Sequence, residues 1–315
     1  MTNFAPVTDK DYLAAYQQSA TTVDTPLGPI QYAQRGEGVA LLAVHGGPGG
    51  YDQGLVMAEC FRRNGFRIIS PSRPGYLGTP LNGAVTARDQ ADRLVALLDA
   101  LSIEKIAVLG ASAGGPSTYT LAQEHPDRVL ALIEIDSVCM QYGKMQELSK
   151  AEELIYLSKP GLWMTQWLMQ HFPETMIKSF LSTESSLDAH SLTAQAEYIT
   201  HHADELALVR LLLSTMSERY SERQLGLDTD IAILTGLTPI PLDKVKCPTL
   251  ILHGDADRDV ELAHANYAHE SITDSLLYLI KGGSHIGFWA GESAQRAQEY
   301  AVQWLKKVTL PSIGK

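Results

Sequence analysis

The chain has 315 residues, with 25 Lys+Arg against 36 Asp+Glu and a formal net charge of −11. It is 45% hydrophobic and 19% charged, the balance of a globular protein with a sizeable core and not that of a disordered chain. The acidic excess and the absence of a basic stripe exclude a nucleic-acid partner and an anionic membrane surface. A small-molecule partner is expected, and oligomeric state is not legible. Cys60, Cys139 and Cys247 are far apart, with no metal-ligand spacing, so neither a disulfide framework nor a structural zinc site is expected. Met1–Tyr16 shows no basic start followed by an apolar core, so no signal peptide is expected. The longest apolar runs, such as Val39–Val44, fall far short of the roughly 18–20 residues that span a bilayer. A cytoplasmic location is the expectation.

In chain order, residues up to about Gln34 read as two short strands around the turn Thr25-Pro26-Leu27-Gly28-Pro29. Val39–Val44 is a continuous apolar run closed by His-Gly-Gly-Pro-Gly-Gly, which predicts a strand buried on both faces. Arg67–Ser70 predicts a second strand, and Val85–Leu101 a helix with Leu94, Leu97, Leu98 and Leu101 on one face. Ile106–Gly110 is a strand followed by Ser112 and a helix to His125, and Val129–Ile135 is another apolar run. Strand–helix alternation of this kind predicts an α/β fold with a mostly parallel sheet. From about Met140 to Leu237 no strand is predicted, only helical stretches. The alternation resumes at Pro248–His253, continues through Leu276–Ile280 and closes with a helix over Ser293–Lys307. A helical cap over 138–238 is therefore expected to interrupt a core made of 1–137 and 239–315.

Gly110-Ala111-Ser112-Ala113-Gly114 matches G-x-S-x-G directly after a buried strand and before a helix. In that place the glycines permit a sharp strand-to-helix turn that exposes a serine hydroxyl. His45-Gly46-Gly47-Pro48-Gly49-Gly50 follows an earlier strand, where glycines let a backbone N–H reach into a site. It has neither Walker nor dinucleotide-binding spacing. The N–H groups of Gly47 and Ala113 are the candidate oxyanion donors. A serine nucleophile needs a base and the base an orienting acid. His285, in Gly282-Gly283-Ser284-His285 past the last strand, is the candidate base. For the acid, Asp257 in His253-Gly254-Asp255-Ala256-Asp257 is favoured by its G-x-x-D spacing; Asp255 and Asp259 read as turn or surface residues. Asp136, at the end of the Val129–Ile135 run, is the rival position. No metal and no organic cofactor is called for.

These segments together, HGGPGG, GASAGG, HGDADRDV and GGSH in that order, resemble the α/β-hydrolase superfamily over essentially the whole chain, with the helical block resembling its cap. HGGPGG with Ser72-Arg73-Pro74-Gly75-Tyr76 looks most like the prolyl aminopeptidase branch. The nucleophile segment departs from that branch, which usually carries Trp-Gly there. The resemblance implies acyl transfer to water by Ser112, His285 and Asp257 on a small ester or related acyl compound. Prolyl-type aminopeptidase activity is the alternative, with carbon–carbon bond hydrolysis of diketones and a non-catalytic binding protein behind it. A serine in place of an aspartate disfavours dehalogenase and epoxide-hydrolase chemistry.

In the cap, Tyr142, Met145, Leu162, Trp163, Met164, Trp167, Leu168 and Phe172 form an apolar stretch that reads mainly as cap packing and otherwise as a hydrophobic lid. Glu174, Glu184 and Glu197, which an aminopeptidase would need for a substrate ammonium, read as solvated helix faces. Trp289 and Tyr76 are candidate pocket walls.

Overall fold

The apolar runs pair into one sheet. In the computed structural model, which describes residues 4–143 and 159–310, the strands are β1 (Thr21–Val23), β2 (Ile30–Arg35), β3 (Val39–Val44), β4 (Phe66–Pro71), β5 (Ile106–Ala111), β6 (Val129–Ile135), β7 (Thr249–Gly254) and β8 (Ser275–Ile280). Their order across the sheet is β1-β2-β4-β3-β5-β6-β7-β8. β2 runs antiparallel to β1 and β4, and every pairing from β4 to β8 is parallel.

Period-two alternation sends successive residues of the central strands to opposite faces. Leu41, Ala43, Ala107, Leu109, Ala131 and Ile133 pack into one apolar cluster, and Leu42, Val44, Ile106, Val108 and Leu132 into another. Helices cover both. The first face takes α1 (Asp9–Tyr16), α2 (Tyr51–Met57), α3 (Glu59–Arg63) and the C-terminal helix 294–309; the second takes α4 (Ala87–Ala100), α5 (Gly115–Glu124) and the helix 262–271. This is the expected α/β architecture with a mostly parallel sheet.

Between β6 and β7 the chain inserts α6 (Lys159–His171), α7 (Pro173–Glu184), α8 (Ala189–His201), α9 (Ala203–Ser217) and α10 (Gln224–Thr235). The remaining two helices are α11 (Leu262–Ser271) and α12 (Ala294–Thr309). Ile177, Leu181, Ala196, Ile199, Leu208 and Val209 of the insert belong to the same apolar cluster as the first sheet face, so the insert is packed on the core and not tethered to it. Among the described residues no helix is long and apolar enough to cross a membrane.

The N-terminal segment departs from the sequence reading. Thr8 caps α1, its hydroxyl accepting from the Asp11 N–H while the Asp11 carboxylate accepts from the Thr8 N–H. Such a capping box is worth about 1 kcal/mol, and with Tyr12 and Ala15 buried it sets a helix ahead of the two strands. α2, α3 and α11 were not expected either; they are short and lack a long apolar repeat.

One buried acid lies behind the central turn. Glu134 of β6 stands across from Gly110 of β5 and accepts a hydrogen bond from Thr118 Oγ1 at 2.6 Å. Burial pushes its carboxyl up to about 8, against the opposing pull of the Ser137 and Thr118 hydroxyls. A raised folded-state pKa gives stability that is present below the unfolded value of 4.5 and is lost as pH climbs to about 8. The urea midpoint of the wild type is therefore expected to fall more between pH 5 and pH 8 than that of Glu134→Gln. Parallel declines in the two proteins would show that Glu134 is not held protonated.

Candidate active site

The sheet edge at which the parallel strands end gathers the polar residues singled out in the sequence. Ligand crevices of open α/β sheets lie at this edge. β5 ends at Ala111, Ser112–Gly114 form one turn of 3₁₀ helix, and α5 starts at Gly115. Ser112 has φ +50°, the left-handed region that a residue with a side chain enters at a cost. The turn closes because of two glycines. A Cβ on Gly110 would lie 2.2 Å from Thr118 Oγ1, and one on Gly114 would lie 2.6 Å from the His45 carbonyl oxygen. The α5 N-terminus, positive in its partial charge, then follows the serine.

β3 is the parallel neighbour of β5, with Val44 opposite Gly110, so the 45–50 loop emerges beside the Ser112 turn. A Cβ built on Gly46 would lie 3.2 Å from the Ser112 Cβ, and one on Gly47 would lie 3.4 Å from the Ala113 Cβ. Gly47 and Ala113 are thus neighbours.

His285 lies in the loop after β8, and its Nδ1 is 2.8 Å from Asp257 Oδ2. The other Asp257 oxygen accepts from the N–H groups of Asp259 (2.8 Å) and Val260 (3.0 Å), an Asx-type turn that locks the carboxylate. Of the two aspartates left open by the sequence, it is Asp257 that the imidazole reaches. Asp136, also left-handed at φ +47°, sits behind it and accepts from the Gly254 N–H at 2.9 Å. Among the described residues no donor reaches its Oδ2. Burial first, and then the charge of Asp257, hold the Asp136 carboxyl well above the usual carboxylate range. One ligand atom each of Asp136, Asp257 and His285 lie within 4.8 Å of one another.

Ser112 and His285 are not joined. Among the described residues no hydrogen bond links the serine hydroxyl to the imidazole, and His285 Nε2 instead faces Asp259 Oδ2 at 3.4 Å. Asp259 is therefore no plain surface residue. It also accepts a hydrogen bond from the Tyr142 hydroxyl. Burial opposes a charge on His285, but Asp257 and Asp259 outweigh it and hold the imidazole well above its usual range.

The insert reaches this site. The Glu184 carbonyl, at the end of α7, accepts from both the Arg258 and the His285 N–H groups at 3.2 Å, and Ser185 bridges to Asp257. The Glu184 side chain is half-buried, and burial raises its carboxyl while the nearby His285 pulls it down. The solvated-face reading holds for Glu174 and Glu197, which are exposed, and fails for Glu184. A residue joining insert and core at a helix end carries no periodic signal.

The apolar stretch of the insert is divided. Tyr142 is buried beside Asp259, while Trp163, Met164, Trp167 and Phe172 are 61%, 47%, 38% and 52% exposed. Trp167 nonetheless stacks on His171, with ring centroids 4.5 Å apart, and meets the Phe172 ring at 5.9 Å, so part of this stretch packs within the insert. Leu168 is half-buried. Met145 and the Leu162 side chain lie outside the described residues. Trp289 is buried under α2, donating to the Met57 carbonyl at 3.0 Å. Tyr76 is fully buried, edge-on to the His45 ring.

Comparison with known proteins follows this geometry. A protein-family profile described as alpha/beta hydrolase fold matches residues 39–292. The solved structure of an alpha/beta hydrolase fold protein from Nakamurella multipartita is 33% identical, covers 91% of this chain and 99% of its own, and superposes with a TM-score of 0.84. An uncharacterized hydrolase of Bacillus subtilis, YcgS, is 27% identical over 85% of this chain and 91% of its own. The 2-hydroxy-6-oxo-6-phenylhexa-2,4-dienoate hydrolase of Comamonas testosteroni is 25% identical over 88% of this chain and 91% of its own.

The carboxylate contacts of His285 are measurable in solution. Its NMR titration is expected well above pH 6.5, and Asp259→Asn is expected to move it downward. An unmoved titration in that variant would show that Asp259 does not bear on the imidazole.

Proposed function

The chain belongs to the α/β-hydrolase fold family, and from that premise we propose that it is a serine hydrolase acting on a small carboxylic ester or related acyl compound. The observation that carries this reading is the Asp257–His285 hydrogen bond at the sheet edge that also holds Ser112 in a left-handed turn. Ser112 Oγ attacks the acyl carbon as His285 Nε2 takes its proton, and Asp257 fixes the tautomer and stabilises the imidazolium. The Gly47 and Ala113 N–H groups hold the oxyanion, each worth about 3–4 kcal/mol. His285 returns the proton to the leaving alkoxide. It then activates the water that attacks the acyl-enzyme, releasing the acid and regenerating Ser112. The Ser112–His285 hydrogen bond is closed in the substrate complex, where such contacts tighten. The insert over 138–238 acts as the cap on a core of 1–137 and 239–315.

A second reading, prolyl-type aminopeptidase, is favoured by one specific feature. Glu184 and Asp259 bring two carboxyl groups beside His285, a setting suited to a substrate ammonium. The same carboxyl groups disfavour an anionic substrate such as the dienoate in the name of the Comamonas relative.

The readings separate in one assay set. Wild-type protein is expected to hydrolyse short p-nitrophenyl esters, and Ser112→Ala to lose about 10⁴-fold or more of that rate. Undiminished turnover in the variant would sink the serine assignment. Faster hydrolysis of proline or alanine p-nitroanilides than of the esters would favour the aminopeptidase. Failure of a fluorophosphonate to label Ser112 would favour a non-catalytic protein.

A further inference from the structure

Two arginines buried between insert and core grip the 45–50 loop. Arg73, which follows β4, is 1% exposed. Its Nε donates to the His45 carbonyl at 3.0 Å and its Nη2 to the Gly46 carbonyl at 2.9 Å. Both of its Nη atoms also donate to Asp230 of α10, at 2.6 Å each, and Nη1 reaches Gln90 Oε1 at 3.2 Å. Asp230 is 2% exposed and accepts in addition from the Tyr76 hydroxyl. Arg223, at the start of α10, reciprocates: it donates to the Gly49 carbonyl at 2.7 Å and to Asp52 Oδ2 at 2.6 Å.

The Gly46 carbonyl has a second donor. The Arg73 backbone N–H donates to His45 Nε2 at 2.9 Å, which leaves the proton of a neutral imidazole on Nδ1. Burial, followed by the charge of Arg73, keeps His45 neutral. His45 Nδ1 lies 2.7 Å from the Gly46 oxygen and donates to it. Both lone pairs of that oxygen are thus engaged. A trans peptide is planar, with its C=O and N–H pointing in opposite directions. Fixing the Gly46 carbonyl therefore fixes the direction of the Gly47 N–H. Rotating this peptide would break two hydrogen bonds, one of them charge-assisted.

We propose that Asp230 is a positioning residue: through Arg73 it holds the Gly46–Gly47 peptide, so that the insert sets the aim of the Gly47 N–H at the reacting oxygen. This rests on the serine-hydrolase reading, in which that N–H is an oxyanion donor. The arrangement is close-fitting as well as charged. A Cβ on Gly47 would lie 2.9 Å from Asp230 Oδ2 and 3.2 Å from the Tyr76 oxygen, so the carboxylate backs directly onto the peptide it governs. Arg73 neutralises it there.

The test compares Asp230→Asn with the paired variant Arg73→Met/Asp230→Leu, which removes both buried charges at similar volume. Such apolar replacement of a buried ion pair is often neutral for stability. Competent sites are counted by end-point fluorophosphonate titration, and kcat, KM and Tm are read per titrated site. Asp230→Asn is expected to lower kcat about ten- to a hundredfold with KM changed less than about threefold. The paired variant is expected to regain wild-type Tm while kcat stays low, and its crystal structure to show the Gly46–Gly47 peptide rotated. Recovery of kcat together with Tm in the paired variant would make the ion pair merely structural and overturn the proposal. An unrotated peptide would overturn it whatever the ester assay gives. Persistence of ester turnover in Ser112→Ala would instead remove the serine reading, and the crystal structure would still decide whether the pair holds the peptide.

Discussion

The left-handed turn at Ser112 is the constraint on which the rest depends. A non-glycine residue in that region costs on the order of 1–3 kcal/mol and persists only where its surroundings over-determine it. Here they do so from three sides. β5 is buried along its whole length and paired on both edges up to the turn, with Gly110 opposite both Val44 and Glu134. The Ser112 carbonyl accepts from the Val138 N–H at 3.1 Å, and the Gly114 carbonyl accepts from the Ser117 hydroxyl at 2.8 Å. Relaxing the serine would pull on strands, helix and insert entry together. Strain is thus held at Ser112, whose hydroxyl is the proposed nucleophile.

Two of the insert's polar contacts with the core reach segments of the candidate site. Glu184 supports the Asp257 and His285 loops through its carbonyl, while α10 clamps the 45–50 loop through Asp230 and Arg223. Buried ion pairs add little net stability, because desolvation offsets most of their attraction, yet breaking one costs about 3–5 kcal/mol. Their effect is on seating. In one pair the core supplies the cation and the insert the anion, and in the other the roles are exchanged. A displaced α10 would leave all four charges without their ion partners, which opposes its displacement.

The sequence made the sheet and its edge legible for a physical reason: strands buried on both faces are continuous apolar runs, and glycines with polar residues crowd where such runs end. Val39–Val44 and Val129–Ile135 coincide with their strands residue for residue. The same logic singles out Ser112, Asp257 and His285 as candidates. What escaped was of two kinds. Short helices such as α2 are made by packing on the sheet and not by an apolar repeat. Tertiary partnerships such as Arg73–Asp230, 157 residues apart, leave no local pattern. Asp259 escaped because its role depends on Tyr142, at the far side of the insert's entry. Thr8, in contrast, carried a readable cap signal for α1 that the turn-rich segment following it obscured.

The separation of Ser112 from His285 and the raised basicity of His285 have one origin. Asp257 accepts a hydrogen bond from Nδ1–H, so a neutral imidazole presents a lone pair at Nε2. A carboxylate facing a lone pair is repelled. The 3.4 Å approach of Asp259 to Nε2 is therefore attractive only for the imidazolium, with protons on both nitrogens and a carboxylate at each. Loss of the Nε2 proton removes what holds the ring toward Asp259, and Tyr142 keeps that carboxylate partnered when the ring turns away. In the proposed reaction the neutral imidazole is the form that accepts the serine proton. In that proposed reaction, deprotonation of His285 both creates the base and removes its attraction to Asp259.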